Sequence, residues 1–443
     1  MEMNVETFAA RVFEAAEQAG IAPAEICFGS SESFTARTRA GALEDYQVSD
    51  RVSLTLRGKV GGRIGTASTQ ALDEESIGLL ISGVKESASL IETDEQDEIL
   101  PPDAHYETVC NYSEALDAVP AQEKIALAMD IDRRMQACDA RVKPDSSVVR
   151  SAKETFCMKN TLGLDLTHTS NLIYAYASAL AKEGESAATG FKLLWGYGMD
   201  AVDAQAVAEG CQEDALCQLG AGRMKSGKTA VVIRGGTMAD LLSTFSGVFS
   251  ADNAQKGLSL LDGREGEAIA SECVTLTDDP LMPWGLGSSP FDREGAACRT
   301  KNVIEGGVLR TLLHNRKTAK KAGVETTGNA AGGGRVAPSN FFIAPGSQTK
   351  DELLAKMGDG LYLTDVSGLH AGANPISGDF SLLSRGFEVK DGKIVRPVEQ
   401  FTVAGNFYQL LKDVAAVGSD LIFEGSPIGS PSVLVSALSV AGE

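Results

Sequence analysis

The densest group of reactive side chains in the sequence is acidic. Asp278 and Asp279 precede Pro280, a Gly-rich stretch runs from Gly285 to Pro290, and Asp292 and Glu294 flank Arg293. Four carboxylates within 17 residues can hold Mg²⁺ or Ca²⁺ through oxygen. The same acids can close turns and pair with Arg293 and Arg299, the commoner use of Asp before Pro or in Gly-rich loops. Two further Gly-rich loops carry polar groups: Thr327–Arg335 with Asn329, and Ile376–Ser381 with Asp379. Glycines let a second backbone pass closely, so these loops either line a peptide groove or connect hairpins.

Other local chemistry is weaker. Gly222–Thr229 fits the P-loop pattern letter for letter, but a helical stretch (204–219) precedes it and the strand-like 229–233 follows. A phosphate cradle needs the opposite order, strand then loop then helix, so a helix end and an interdomain turn are expected. The four histidines (His105, His168, His314, His370) are too far apart for a helical zinc pair. Cys298 has no local activating base, and G-x-S-x-G is absent.

The chain has 443 residues, with 60 acidic against 40 basic and a net charge of −20. This balance argues against nucleic acid and against an anionic membrane as partners. The eight cysteines (27, 110, 138, 157, 211, 217, 273, 298) form no C-x-x-C pair and read as reduced thiols in a cytoplasmic protein. The N-terminus lacks the pattern of a signal peptide, and no apolar run reaches the length of a membrane helix.

Periodicity divides the chain into three units. In the first, 1–92, Val5, Phe8, Ala9, Val12, Phe13 and Ala16 mark a helix ended by Gly20. Val52, Leu54 and Leu56 alternate with polar residues as in a half-buried strand, 58–62 forms a turn, and 63–69 is the next strand. Ile77, Leu80, Ile81, Val84, Ala88 and Ile91 mark a second helix. The acidic stretch 92–103, with Pro101-Pro102, is the candidate linker. The middle unit, 93–225, is mixed, with helices near 121–139 and 203–219 around strands such as 171–176. The third, 226–443, is β-rich and ends in a buried strand near 432–440. The expected class is α+β, multi-domain.

The order of the landmarks is more specific than any one of them. It runs Thr277-Asp-Asp-Pro280, Pro290-Phe-Asp-Arg-Glu-Gly295, Val303–Leu309, Thr326-Thr-Gly-Asn-Ala330, Ser377-Gly-Asp-Phe-Ser381, Thr402-Val-Ala-Gly-Asn406 and Leu438–Gly442. This series resembles the TldD/PmbA family, once called modulators of DNA gyrase and now treated as metalloprotease-related. The likeness extends over nearly the whole chain. One branch of that family, TldD, carries H-E-x-x-x-H on a helix early in the last domain and a Cys near the C-terminus. The matching helix here, 238–250, contains neither His nor Glu, and no cysteine follows Cys298. The chain therefore resembles the other branch, PmbA (TldE).

That resemblance implies a cytoplasmic subunit without zinc of its own, non-catalytic alone. It would pair with a TldD-like, zinc-bearing chain, shape the cavity between them and help hold unfolded peptides. Asp279, Asp292, Glu294, Asn329 and Asp379 match positions of the family pattern and are candidates for the cavity wall. No metal ligand carries over to this chain. The alternatives are a stand-alone homodimer that binds peptides or protein, and a hydrolase using a hard metal on Asp278, Asp279, Asp292 and Glu294.

Overall fold

The structure is a computed structural model and describes residues 3–91 and 98–443. The candidate linker at 92–103 thus lies partly outside the described residues. Its last residue, Asp103, accepts the Ala297 N–H at 2.7 Å.

An amphipathic helix, α1 (Val5–Gln18), opens the fold, buries Phe8, Ala9, Val12 and Ala16, and is capped by Asn4. Three strands follow: β1 (Ala24–Arg39), β2 (Ala42–Val60) and β3 (Arg63–Thr69). Gly61 and Gly62, both at positive φ, make the β2–β3 turn. Helix α2 (Glu74–Ser89) starts at an Asp73 cap. After the short α3 (Glu114–Asp117) and α4 (Ala121–Gln136) come three more strands, β4 (Val142–Asn160), β5 (Asp165–Glu183) and β6 (Ser186–Gly196), and then α5 (Ala204–Leu216).

These six strands form one antiparallel sheet in the order β3-β2-β1-β4-β5-β6. The β1–β4 pairing carries the sheet from the first sequence unit into the second. One face is covered by helices. Under α1 and α2 the core holds Ile26, Phe28, Leu54 and Leu56; under α4 and α5 it holds Ile173, Ala175, Ala177, Ala179 and Ala181. The small alanines let α5 approach closely. A Cβ at Gly190 on β6 would land on the Cys211 carbonyl oxygen of α5. The other face carries Tyr174, Tyr176, Phe191 and Trp195, none of them buried.

The last part begins with β7 (Gly227–Ile233), α6 (Gly235–Phe245) and α7 (Ala251–Gln255). Then come β8 (Leu276–Asp278), β9 (Lys301–Glu305), β10 (Val308–Leu309), α8 (Arg316–Ala322), β11 (Phe341–Ile343) and α9 (Lys350–Met357). The remainder is β12 (Gly360–Ser367), α10 (Leu369–Gly372), β13 (Asp379–Lys390), β14 (Lys393–Asn406), α11 (Phe407–Lys412), β15 (Val414–Val417), β16 (Ile428–Gly429) and β17 (Val433–Ala441). Strands β14-β13-β12-β7-β17 form a ring, closed by β17 pairing back to β14, with β15 added on β17. A second sheet runs β10-β9-β8-β11-β16. The largest core fills this region with Phe245, Phe249, Phe341, Phe401 and Phe407.

The last part of the chain packs on the aromatic face of the large sheet at several places, two of them as follows. Arg293 stacks on Phe156 at 4.0 Å, and Phe291 lies 6.1 Å from the same ring. At the far side the Trp195 indole N–H donates to the Phe423 carbonyl at 2.8 Å.

Candidate functional site

The acids singled out from the sequence have well-defined places. Asp278, fully buried at the end of β8, accepts from Lys301 Nζ and Asn329 Nδ2, each at 2.8 Å, and from the Ser339 N–H at 2.6 Å. Lys301 also donates to the Asn329 side-chain oxygen and the Thr327 carbonyl, each at 2.8 Å. Asp279 accepts from the Leu281 N–H and the Thr300 hydroxyl, the turn chemistry expected before Pro280. Asp292 is buried and accepts three backbone N–H groups, from Glu294 at 2.8 Å and from Ala296 and Ala330 at 3.0 Å. Burial raises its pKa, against the pull of those N–H groups. Glu294 accepts the Arg316 N–H at 2.9 Å at the start of α8.

The structure thus joins Asp278 to Asn329 and ties Asp292 to the residue next to Asn329. Asp279 and Glu294 turn to separate partners. Asp379 stands elsewhere, at the start of β13, bonded by Asn406 Nδ2 at 2.9 Å and Ser377 Oγ at 2.8 Å; these two bonds lower its pKa. Among the described residues, no three His, Cys, Asp or Glu side chains converge as a metal site. The P-loop look-alike is a connection between α5 and β7, where the Gly222 N–H bonds the Pro397 carbonyl, and no helix follows it to hold a phosphate.

A second constellation surrounds α6. The apolar side of this helix and the turn after it bury Leu241, Leu242, Phe245, Val248 and Phe249 in the ring core. Its other side leaves Asp240 and Ser243 exposed. At the helix start, Thr237 Oγ1 donates to the Thr364 carbonyl at 2.7 Å, and Arg234 grips Glu424 through two bonds of 2.7 Å. A Cβ at Gly236 would strike that Glu424 carboxylate, so the glycine lets the pair lie over the helix. On β12 and β13, Arg385 bonds Asp365 at 3.2 Å, the Thr189 carbonyl at 3.0 Å and Asp214 at 3.4 Å. Asp214, on α5, also takes the Phe191 N–H at 3.0 Å.

These bonds form two groups of charges, Arg234–Glu424 at the start of α6 and Arg385 with Asp365 and Asp214 at the edge of the large sheet. There the aromatic face continues, with Tyr176 5.4 Å from Phe191 and 6.5 Å from Tyr174. Phe191 is 50% exposed, and Leu383, two residues from Arg385 along β13, is 55% exposed. Asp240 reaches solvent, yet its pKa is pushed up to about 6. The crowding of the surrounding protein is the main cause, followed by repulsion from Glu424 and Asp365, with Arg234 opposing. Of this group only Asp240 stood in a stretch that the sequence had marked. Arg234, Glu424, Asp365, Arg385 and Asp214 meet across as many as 210 residues, and no local spacing links them.

Zinc at this helix would require a tetrahedral set of imidazole, thiolate or carboxylate ligands. The exposed side of α6 supplies one carboxylate and a hydroxyl, and the two carboxylates acting on Asp240 are already engaged by Arg234 and Arg385. This donor set does not fit zinc.

Three family models match the chain: PmbA/TldA metallopeptidase domain 1 over residues 24–88, the central domain over 114–219 and the C-terminal domain over 226–442. The solved structure of a proposed modulator of a DNA gyrase from Thermotoga maritima superimposes with a TM-score of 0.93 at 32% identity, over 98% of this chain and 100% of that one. The chain belongs to the PmbA/TldD metallopeptidase family. The metalloprotease PmbA homolog of Haemophilus influenzae is 24% identical over 444 residues, covering 97% of this chain and 94% of that protein. TldE from Thermococcus kodakarensis shares the fold, with a TM-score of 0.89 at 20% identity over 98% of this chain and 100% of that one. The family resemblance read from the ordered motifs and the α+β, multi-domain class expected from periodicity are therefore correct. Within this PmbA/TldD fold, α6 is the helix on which the TldD branch was expected to carry its ligands.

Proposed function

We propose that this chain is a peptide-handling subunit of the PmbA/TldE kind, working in the cytoplasm beside a TldD-like chain that holds the zinc. The observation that carries this is the exposed side of α6, which presents Asp240 and Ser243 where a catalytic partner would present imidazoles. This surface would hold chain rather than cut it. Exposed Phe191 and Leu383 offer apolar contact to unfolded segments, and the Arg234–Glu424 and Asp365–Arg385 pairs offer hydrogen bonds at its rim. Asp279, Asp292, Glu294, Asn329 and Asp379 then serve by shaping loops of the wall. The separate partners of Asp278, Asp279, Asp292 and Glu294 weigh against a hydrolase using a hard metal there.

The test compares three preparations on a reduced, unfolded protein substrate: this chain, an HExxxH-bearing relative from the same genome, and their mixture. The mixture is expected to cleave and to stop on addition of a chelator, while this chain alone stays at the blank rate. Chelator-sensitive cleavage by this chain alone would overturn the proposal.

A further inference from the structure

The helices that cover one face of the large sheet leave a gap between them. Under α1 and α2 the covered positions include Ile26, Phe28, Leu54 and Leu56, and under α4 and α5 they resume at Phe34 and Ala36. At the gap lies a cavity of about 340 Å³, floored by β1, β2 and β4 and walled by α3 and the start of α4. That volume is at the small end of the range for ligand sites. Strand register sets two rows of side chains across the floor. Asp50, Glu32 and Lys153 form one row; Val48, Phe34 and Ser151 form the other. Lys153 is engaged within the protein: its ammonium donates to Asp117 at 3.0 Å and lies 3.5 Å from Glu32. Lys124, in the first turns of α4, is not. Its ammonium donates to Ser151 Oγ at 2.9 Å and stands 5.6 Å from the centre of the Phe34 ring. An ammonium has three donors, and no carboxylate among the described residues pairs with this one. Burial lowers its pKa, with Asp117 opposing. The Ser151 hydroxyl is buried, accepts from Lys124, and gives its own proton to no acceptor among the described residues. Helix α4 opens at the same wall with Ala121, and Pro120 before it offers the first turn no side-chain cap. An ammonium, a hydroxyl and an uncapped helix start thus surround one end of the cavity, a setting for a carboxylate. At the other end the Asp50 carboxylate has no partner among the described residues.

We propose that this cavity binds a dipeptide with free ends and apolar side chains. Its carboxylate receives Lys124, the Ser151 hydroxyl and the first turn of α4. Its ammonium sits at Asp50, beside Glu32, and its side chains lie on Phe34 and Val48 and against Leu116. Charge selects a zwitterion over a simple anion. Three carboxylates and two ammonium groups line the cavity, so an added anion meets net repulsion, whereas a zwitterion adds no net charge. Length selects two residues. Strand β1 lies between β2 and β4, so the two ends of the cavity are two strand spacings, roughly 10 Å, apart. The ends of an extended dipeptide are roughly 7 Å apart, and a hydrogen bond at each end covers the rest. A single amino acid reaches only one end. The cavity opens on the helix-covered face of the sheet, opposite the aromatic face, so the inference does not rest on the peptide-handling reading of α6.

Isothermal titration calorimetry of the full-length chain with leucyl-leucine, at two temperatures, tests this. One site per chain is expected. Leucine, N-acetyl-leucyl-leucine and leucyl-leucine amide should each bind about 10-fold or more weakly, because each leaves one end of the cavity without its charged partner. Two variants assign the ends. With Asp50→Asn, the free and the acetylated dipeptide should bind alike. With Lys124→Met, the free and the amidated dipeptide should bind alike. Both variants should keep the parent's circular dichroism spectrum, since Asp50 is exposed and Met preserves most of the Lys stem. No saturable heat from the parent chain at millimolar leucyl-leucine, at either temperature, would overturn the proposal. So would leucine binding as tightly as the dipeptide, or dipeptide binding that Asp50→Asn and Lys124→Met both leave unchanged.

Discussion

Asp240 is the residue whose chemistry the fold changes most visibly. Its pKa rises from 3.8 to about 6. The folded chain therefore keeps a proton that the unfolded chain has released, so Asp240 weakens folding as pH climbs through that interval. Asp240→Asn cannot ionise. It is expected to unfold at a higher temperature than the parent at about pH 7.5, with the difference vanishing below about pH 3, where both states are protonated. The gain is about 1 kcal/mol, smaller than the pKa displacement alone would give, because the side chain reaches solvent. Calorimetry at the two pH values checks this; equal melting points at both would remove the electrostatic account. The buried acids behave differently. The turn role of Asp279 before Pro280 and of Asp292 in its loop follows the sequence reading, but the expected pairing with Arg293 and Arg299 does not occur: Arg293 stacks on Phe156 and Arg299 turns to Glu325 and the Thr326 carbonyl. The partners of Asp278, Lys301 and Asn329, were not foreseeable as a unit, since 23 and 51 residues separate them from it.

At the level of elements, period reads well where one face is wet and the other dry. The opening helix, the helix of Leu80 and the last strand fall on α1, α2 and β17 within a few residues, and the strand around Leu54 falls inside β2, which begins nine residues before Arg51. The long β1 was less legible. Its stretch Gly29–Ser33 is polar and small, so alternation fades there, and the hydrogen bonds to β2 and β4 hold it extended instead. Glycine positions that look like loop residues can be packing sites. Gly190 is one, since it lets α5 lie on β6. Gly190→Val is expected to push α5 off the strand and cost about 2 kcal/mol or more, read as a lower urea midpoint. Because α5 carries Asp214, the partner of Arg385, the same change should loosen that contact. An unchanged midpoint would mean that α5 does not rest on β6 as described.

Over the whole molecule, what the sequence conveys is order, and what the fold adds is closure. The ordered motifs disclosed the family, but neither the ring closed by β14 and β17 nor the sheet shared through β1 and β4 has a local signature. Non-local pairings of this kind bring the Arg385–Asp365 pair of the ring against Thr189 and Asp214 of the large-sheet layer. Among the described residues, no helix is long and apolar enough to cross a membrane. The account stands or falls on the α6 helix as a ligand-poor version of a zinc-bearing helix. The most direct measurement is elemental analysis of the chain purified alone and without added metal. Negligible zinc per chain is the predicted result and directs attention to a zinc-bearing TldD-like mate. About one zinc per chain, the stoichiometry of a closed site, would contradict the account and require ligands outside α6.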